Sequence, residues 1–215
     1  MALGTSLALL AALAPLGSAG ADAAATGTCT WTAVNGSWHE ATNWVCSEHD
    51  GSPTATDAVI IDPLLAGEVT VAEDAAAFSL ELGRDQEDLL DFTATLRTTA
   101  DDVALEIGEG GTTVRRSGEL HLGQPQVVGA DGQPPLRATL HSPSGVLVHG
   151  HLLIANSTLV GDVDLDRPFA EGGRGHLEAR AWNDIEGSVQ VLDGVVQPIL
   201  DADSAFGDAG PPIAL

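Results

Sequence analysis

The chain has 215 residues, enough for one domain whose hydrophobic core needs no metal to hold it together. It has 31 acidic residues and 8 basic residues, all arginines, and the net charge of −23 repels phosphate backbones and anionic lipid headgroups. We therefore expect no nucleic-acid partner and no membrane insertion of the mature chain.

Residues 1–23 have the outline of a signal peptide. An apolar run from Leu7 to Leu16 is followed by small residues that end at Ala23, although no Arg or Lys precedes the run. The run is too short to span a hydrocarbon core of about 30 Å. We therefore expect cleavage near Ala23 and a secreted protein, extracellular or periplasmic.

Residues 24–56 are predicted to form an N-terminal cap. The only two cysteines, Cys29 and Cys46, lie 17 positions apart and enclose three of the four tryptophans, Trp31, Trp38 and Trp44. Two cysteines in an exported chain are expected to pair, so the sequence predicts a Cys29–Cys46 disulfide. A zinc site with nearby histidines would match no common ligand spacing.

Residues 57–199 are predicted to be short strands. An apolar-polar-apolar-glycine repeat occurs at 80–83, 105–108 and 120–123. The alternation points both apolar side chains to one face, and the glycine allows a sharp turn. The repeat predicts a corner that recurs along a stack of strands, with Leu80, Leu105 and Leu120 in equivalent positions.

The fold class predicted from this pattern is all-β. Residues 72–91 have the alanine and glutamate content of a short helix, but Gly83 interrupts them and a strand is favoured. Frequent glycine and proline between short strands fit a β-sandwich or a β-solenoid. Few aromatics and small inward residues favour the solenoid. Residues 200–215 are predicted to be a flexible C-terminal tail.

The cap sequence resembles the start of a known class of domain. Gly36-Ser37-Trp38, Ala41-Thr42-Asn43-Trp44, Pro53 and the run from Asp57 to Ile61 resemble a pattern of G-x-W, N-W, a loop with P, and D-x-V-x-I. The pattern is found in bacterial secreted and surface β-helix proteins of the autotransporter passenger-like and pectin-lyase-like kinds. The resemblance implies a right-handed parallel β-helix closed by the tryptophan segment. No translocator barrel is expected after residue 200.

The strongest acidic pattern is a row formed by Asp162, Asp164 and Asp166. On a strand these carboxylates share one face at intervals of about 7 Å. Such a row could hold calcium or supply a carboxylate pair for glycoside hydrolysis. A solvated face of an acidic protein is the favoured interpretation, so we predict no catalytic residue and no cofactor, with calcium as the alternative.

Histidines and arginines give a weaker signal. His149 and His151 are spaced to share one strand face, and His121 or His141 from a neighbouring strand could add a third metal ligand. Local sequence gives this set no support, so no metal site is predicted. The pair at 115–116 is interpreted as surface arginines that offset the acidic field, rather than as the base of a lyase.

The functional prediction is a secreted or cell-surface protein of structural or adhesin-like role, without evident catalytic activity. Polysaccharide or other cell-surface components are the expected partners. Two alternatives stay open: a carbohydrate-active β-helix enzyme, either a polysaccharide lyase or a hydrolase, and a β-sandwich carbohydrate-binding module.

Overall fold

The computed structural model describes residues 24–62, 67–85, 92–124, 135–166, 175–180, 183–192, 194–199 and 213–214. These residues form strands and one turn of 3-10 helix, Ala41–Asn43, which confirms the all-β class. None of them forms a helix long and apolar enough to cross a membrane. The predicted signal peptide lies outside the described residues, as does the predicted tail apart from 213–214.

The strands are short, except for two that continue through a change of direction. In chain order they are β1 Gly27–Trp31, β2 Asn35–Ser37, β3 Trp44–Cys46, β4 Asp57–Ile61, β5 Glu68–Val71, β6 Ala75–Leu82, β7 Ala94–Thr98, β8 Val103–Val114, β9 Gly118–Leu122, β10 Ala138–His141, β11 Val146–Val148, β12 His151–Ala155, β13 Thr158–Val160, β14 Val163–Leu165, β15 Gly175–Arg180, β16 Asp184–Glu186, β17 Val189–Val191, β18 Gly194–Ile199 and β19 Ile213–Ala214.

Pairing between these strands is parallel, with one exception at the start of the chain. β1 and β3 are antiparallel, and every other pair of described strands is parallel. The strands form one sheet of 12 and one of seven. Parallel pairing requires a crossover between partners, so strands adjacent in a sheet are distant in sequence.

The two sheets contain three columns of strands, because β6 and β8 each contribute to two columns of the larger sheet. The first column contains β1, β4, the ends of β6 and β8, β11, β14, β17 and β19, with the antiparallel β3 at its edge beside β1. The second contains the starts of β6 and β8, then β10, β13 and β16. The third is the seven-stranded sheet of β2, β5, β7, β9, β12, β15 and β18. From β8 to β18 the chain passes repeatedly through the second, first and third columns in that order.

Inward positions in each column are apolar and stack in register. In the seven-stranded sheet Val69, Leu96, Leu120, Leu152 and Leu177 follow one another across five strands, and each is at most 1% exposed. Burial of such a side chain contributes about 1.5–3 kcal/mol. Residues that alternate with them face outward, so outward side chains of successive strands also lie side by side.

The predicted corner repeat is only partly present. Gly83 and Gly123 have φ of +86° and +68°, in the left-handed region that favours glycine, and each ends a strand. Gly108 has no such conformation and lies within β8. The prediction that Leu80, Leu105 and Leu120 are equivalent is wrong, because they belong to the first, second and third columns respectively.

Ala75–Leu82 is a strand, as favoured over a helix from the sequence. Its inward residues alternate and pack beside β8, and this tertiary pairing overrides the helical propensity of its alanines.

The tryptophan segment lies on the first strands of both sheets. The predicted Cys29–Cys46 disulfide is confirmed and joins β1 to β3. The ring of Trp44 packs edge-on against Trp31 and Trp38, with centroids 4.9 and 5.1 Å away, and its Nε1 donates to the carbonyl oxygen of Trp38. All three rings are buried, so they are packing residues and not exposed platforms for a ligand.

Candidate functional site

The predicted carboxylate row lies on the outward side of β14. Asp162 and Asp164 are exposed, and Val163 and Leu165 are buried. Asp162 Oδ1 accepts hydrogen bonds of 2.8 Å from both the backbone N and Oγ of Ser188. These two bonds hold the pKa of Asp162 below its ordinary value, because they stabilise the charged form.

Neighbouring strands bring no further carboxylate beside the middle of the row. Asp164 is flanked in register by Leu147 on one side and Gln190 on the other. Among the described residues, no group of three ligand atoms close enough to share a metal ion includes a member of the row. The row is a set of outward carboxylates, one of which orders the Ser188 turn.

The arginine pair is engaged with nearby acids. Arg115 contacts Asp85 at 2.9 Å and Glu81 at 3.3 Å, and the backbone N of Arg116 donates to Asp85. Burial opposes ionisation of Asp85, but these bonds and the charge of His149 outweigh it and lower the pKa of Asp85. This arrangement agrees with arginines that offset the acidic field.

A different set of side chains converges on the outward face of the seven-stranded sheet. We call it the histidine–glutamate cluster, and its members are Glu119 and His121 on β9, His151 on β12, and His176 and Glu178 on β15. Register aligns Glu119, His151 and His176 across the three strands. Adjacent strands are about 4.8 Å apart, which places these outward side chains in contact.

His151 is the centre of the cluster. Its ring lies 5.8 Å from that of His121 at an interplanar angle of 77°, and 4.7 Å from that of His176 at 15°. Glu178 Oε2 is 3.2 Å from His151 Nε2, and Glu119 Oε2 is 3.4 Å from His121 Nε2. The cluster is therefore a continuous patch of imidazole and carboxylate groups.

Both carboxylates of the cluster are held ionised. The close contact with His121, whose Nε2 lies 3.4 Å from Glu119 Oε2, is the largest influence on Glu119 and lowers its pKa, against a smaller opposing effect of burial. For Glu178 burial is the largest influence and favours the neutral acid, but the hydrogen bond and charge of Arg180 outweigh it and lower the pKa. Arg180 Nε binds Glu178 Oε1, while Oε2 of the same carboxylate faces His151.

His151 is held neutral at neutral pH. Its side chain is 24% exposed, and burial lowers its pKa below the ordinary value of 6.5. Repulsion from His176 and His121 adds to this effect, and attraction to Glu178 and Glu119 only partly offsets it. A neutral imidazole carries a free lone pair on one ring nitrogen.

The Nε2 atoms of all three histidines are shielded from solvent and have no well-aligned hydrogen bond. The contacts of His121 and His151 with the two glutamates are close enough for charge attraction but do not meet the angle of a good hydrogen bond. Three shielded, unsatisfied ring nitrogens in one patch are unusual, because buried polar atoms generally have partners.

The structure brings together only part of the histidine set that was considered from the sequence. His149 lies just before β12. The backbone N atoms of His149 and Gly150 both donate to the carbonyl oxygen of Val114, so the chain changes direction between His149 and His151. His149 is buried beside Asp85 instead. His141 lies in the second column and contacts Glu106 at 2.7 Å. His121 and His151 do meet, as the sequence allowed.

His176 and the two glutamates were missed as members of a site, although the sequence contains a signal for His176 and Glu119. Gly150-His151-Leu152 and Gly175-His176-Leu177 have the same three residues, and Gly118-Glu119-Leu120 has the same form. A Cβ on each of these glycines would lie 2.2–2.3 Å from a backbone carbonyl oxygen of a neighbouring segment. The glycine is thus required at this corner, and the residue after it takes an outward position beside its counterparts.

Near the disulfide, His49 lies within reach of Cys29 and Cys46, but the disulfide removes both sulfurs as metal ligands. His49 Nε2 contacts the buried carboxylate of Asp57 at 2.8 Å, and this hydrogen bond raises the pKa of His49. Thr54 also donates to Asp57 through its backbone N and Oγ1. These bonds anchor the 49–57 segment to β4.

No protein-family model, curated protein or solved structure matches this chain.

Proposed function

We propose that the chain is a right-handed parallel β-helix, closed at its N-terminal end by the disulfide and the tryptophans, that acts outside the cytoplasm as a structural or adhesin-like protein without catalytic activity. The observation that carries the proposal is the parallel register of the three columns, through which the chain passes in a constant order. A coil of three strands repeated along an axis accounts for this order, and parallel crossovers are almost always right-handed.

This proposal does not depend on the apolar-polar-apolar-glycine repeat, whose copies occupy three different columns. It depends on the stacked inward layers, such as Leu96, Leu120, Leu152 and Leu177. Parallel pairing also argues against the β-sandwich module, since sandwiches of that kind are built from antiparallel sheets.

Two features support a location outside the cytoplasm. The Cys29–Cys46 bond is typical of oxidising compartments, and residues 1–23 have the pattern of an export signal. The charge of −23 keeps such a chain soluble and disfavours anionic membranes and nucleic acids. Neutral or basic polysaccharides and other surface components are the partners we propose.

Export can be tested with the full 215-residue chain in a bacterial host. We expect the chain in the periplasm or medium, with a new N-terminus near residue 24 and no thiol that reacts with an alkylating reagent before reduction. A chain retained in the cytoplasm with its first residues intact and two free thiols would contradict the proposal.

The absence of catalysis can be tested against a panel of neutral, basic and acidic polysaccharides. We expect no release of reducing or unsaturated ends above the level of a chain carrying Asp162→Asn and Asp164→Asn, and retention of the wild-type chain on some of the insoluble polymers. Product release by the wild type that this double variant abolishes would instead establish the carbohydrate-active enzyme.

A further inference from the structure

We propose that Glu119, His121 and His151 bind one divalent transition cation, for which Zn²⁺ is the best match, on the outward face of the seven-stranded sheet, with His176 and Glu178 completing its surroundings. The site lies outside the carboxylate row and is independent of the proposed structural role.

The ligand types select the class of metal. Two imidazole nitrogens and a carboxylate oxygen suit Zn²⁺, Ni²⁺ or Cu²⁺, whereas Ca²⁺ and Mg²⁺ require oxygen ligands. The ligand atoms of Glu119, His121 and His151 all lie within 4.8 Å of one another. Tetrahedral zinc with bonds of about 2.0–2.1 Å needs ligand atoms about 3.3 Å apart. Side-chain rotations that bring the atoms together by roughly 1.5 Å or less would complete the geometry.

Ring orientation distinguishes this group from a second one. His151, His176 and Glu178 also place three ligand atoms within 4.8 Å. The rings of His151 and His176 are nearly parallel, at 15°, so their in-plane lone pairs do not point toward a common centre. The rings of His121 and His151 are at 77°, and two lone pairs in such planes can converge on one ion. Both groups use His151, so we assign one ion to each chain.

The charges around the site favour a cation. Glu119 and Glu178 place carboxylate oxygens 3.4 and 3.2 Å from Nε2 of His121 and His151 respectively, so negative charge lies beside both imidazoles. Arg180 is occupied by Glu178, and Arg97, the register neighbour of His121, is occupied by Glu68. The shielded, unsatisfied Nε2 atoms would gain a partner in the ion.

A bound ion would join β9 to β12. These strands pair in parallel, but β10 and β11 lie between them in the sequence. Metal binding to the folded state alone raises apparent stability by mass action. The bound ion would therefore cross-link two neighbouring strands, β9 and β12, on the outward face of the seven-stranded sheet.

The test uses the full chain without an affinity tag of histidines, stripped with EDTA and titrated with ZnCl₂ by calorimetry in salt of about 0.15 M to screen the acidic surface. We expect one Zn²⁺ per chain, a higher thermal midpoint in Zn²⁺, and no competition from a large excess of Ca²⁺. Bound Co²⁺ should give the intense visible absorption of a four- or five-coordinate ion.

Three variants locate the site. His151→Gln and Glu119→Gln should each weaken Zn²⁺ binding at least tenfold and remove the Co²⁺ absorption. His141→Gln removes a more exposed histidine that contacts a carboxylate in the second column, so this variant should bind Zn²⁺ as the wild type does. Circular dichroism of each metal-free variant establishes that its strands are intact, and Glu119→Gln carries the test if His151→Gln does not fold.

The proposal is overturned if the stripped chain binds no Zn²⁺, if Ca²⁺ displaces it, or if more than one ion binds with similar affinity. It is also overturned if His141→Gln weakens binding as much as Glu119→Gln, because binding would then follow the general acidity of the surface.

Discussion

His151 connects the histidine–glutamate cluster, because its ring contacts those of both His121 and His176. It occupies an outward position of β12, yet neighbouring outward side chains cover most of it. Register places His176 directly beside His151, while His121 lies on β9 opposite Leu153, diagonally across from His151. The chemistry of the cluster follows from this register more than from any local motif.

The protonation of His151 gives a prediction about stability. Its pKa is lower in the folded chain than its ordinary value, so the unfolded chain takes up the proton more readily. The contribution of neutral His151 is fully present above about pH 6.5 and is lost as the pH falls through its folded pKa. In EDTA, the free energy of unfolding of the wild type should therefore fall more between about pH 7.5 and 5 than that of His151→Gln.

A comparison with the variant is needed because His49 acts in the opposite direction. The raised pKa of His49 gives stability that is present at low pH and lost as the pH rises through its folded pKa. This contribution is common to both chains and cancels in their difference. The groups that face His151, namely Glu119, Glu178, His121, His176 and Arg180, are also common to both. Equal pH dependence in the two chains would show that His151 is not held neutral by the fold.

Among the strands, β9 and β15 begin at a glycine and β12 begins directly after one, and each of these glycines lies against the backbone of a neighbouring segment. The close contact of each glycine with the neighbouring backbone sets the distance between the segments and allows the change of direction before the strand. The outward residue that follows each glycine is thereby fixed in register with its counterparts on the two neighbouring strands.

Gly150→Ala tests this corner. Its Cβ would lie 2.2 Å from the Arg115 carbonyl oxygen and 2.4 Å from that of Gly118, and rigid backbone must move to admit it. We expect a loss of about 2–3 kcal/mol in the free energy of unfolding, measured with urea. Gly108→Ala is the matched control, since its nearest atom would be 3.3 Å away and its φ is not positive. Similar losses in both variants would contradict the close-approach argument.

The disulfide tests whether the first strands form a local closure. Replacing both cysteines, Cys29→Ser with Cys46→Ser, removes a cross-link between positions 17 apart, and the simplest entropy model gives a loss of about 3 kcal/mol. We expect a lower thermal midpoint but unchanged strand content of residues 80–199 at moderate temperature. Hydrogen exchange of the individual strands measures that content. Loss of protection in all strands together would contradict a local closure.

For the whole molecule, alternation within single strands was sufficient to predict the all-β class and the inward positions. In the Asp162–Asp166 pattern, for example, Asp162 and Asp164 are exposed and Asp166 is partly exposed, whereas Val163 and Leu165 are buried, as the alternation predicts. The disulfide followed from the presence of only two cysteines together with the expected export of the chain.

Contacts between columns could not be predicted in the same way. Whether Leu105 stacks on Leu80 or on Ala75 depends on a register shift between Ala77 and Ser79, which alternation does not reveal. His151 and His176 are 25 positions apart in sequence, and only the close approach required of Gly150 and Gly175 aligns them. The cluster is thus a property of the stacked chain and not of a segment.

The parallel stacking of the third column is tested most directly by one distance. Spin labels on Glu68→Cys and Val195→Cys occupy outward positions of β5 and β18, separated by five strand steps through Thr95, Glu119, His151 and His176. With the native disulfide intact, pulsed electron resonance should give a narrow distribution near 24 Å between the backbone positions, and moving the first label to Thr95→Cys should shorten it by about 5 Å. A broad distribution, or a distance unchanged by that move, would contradict the parallel stack.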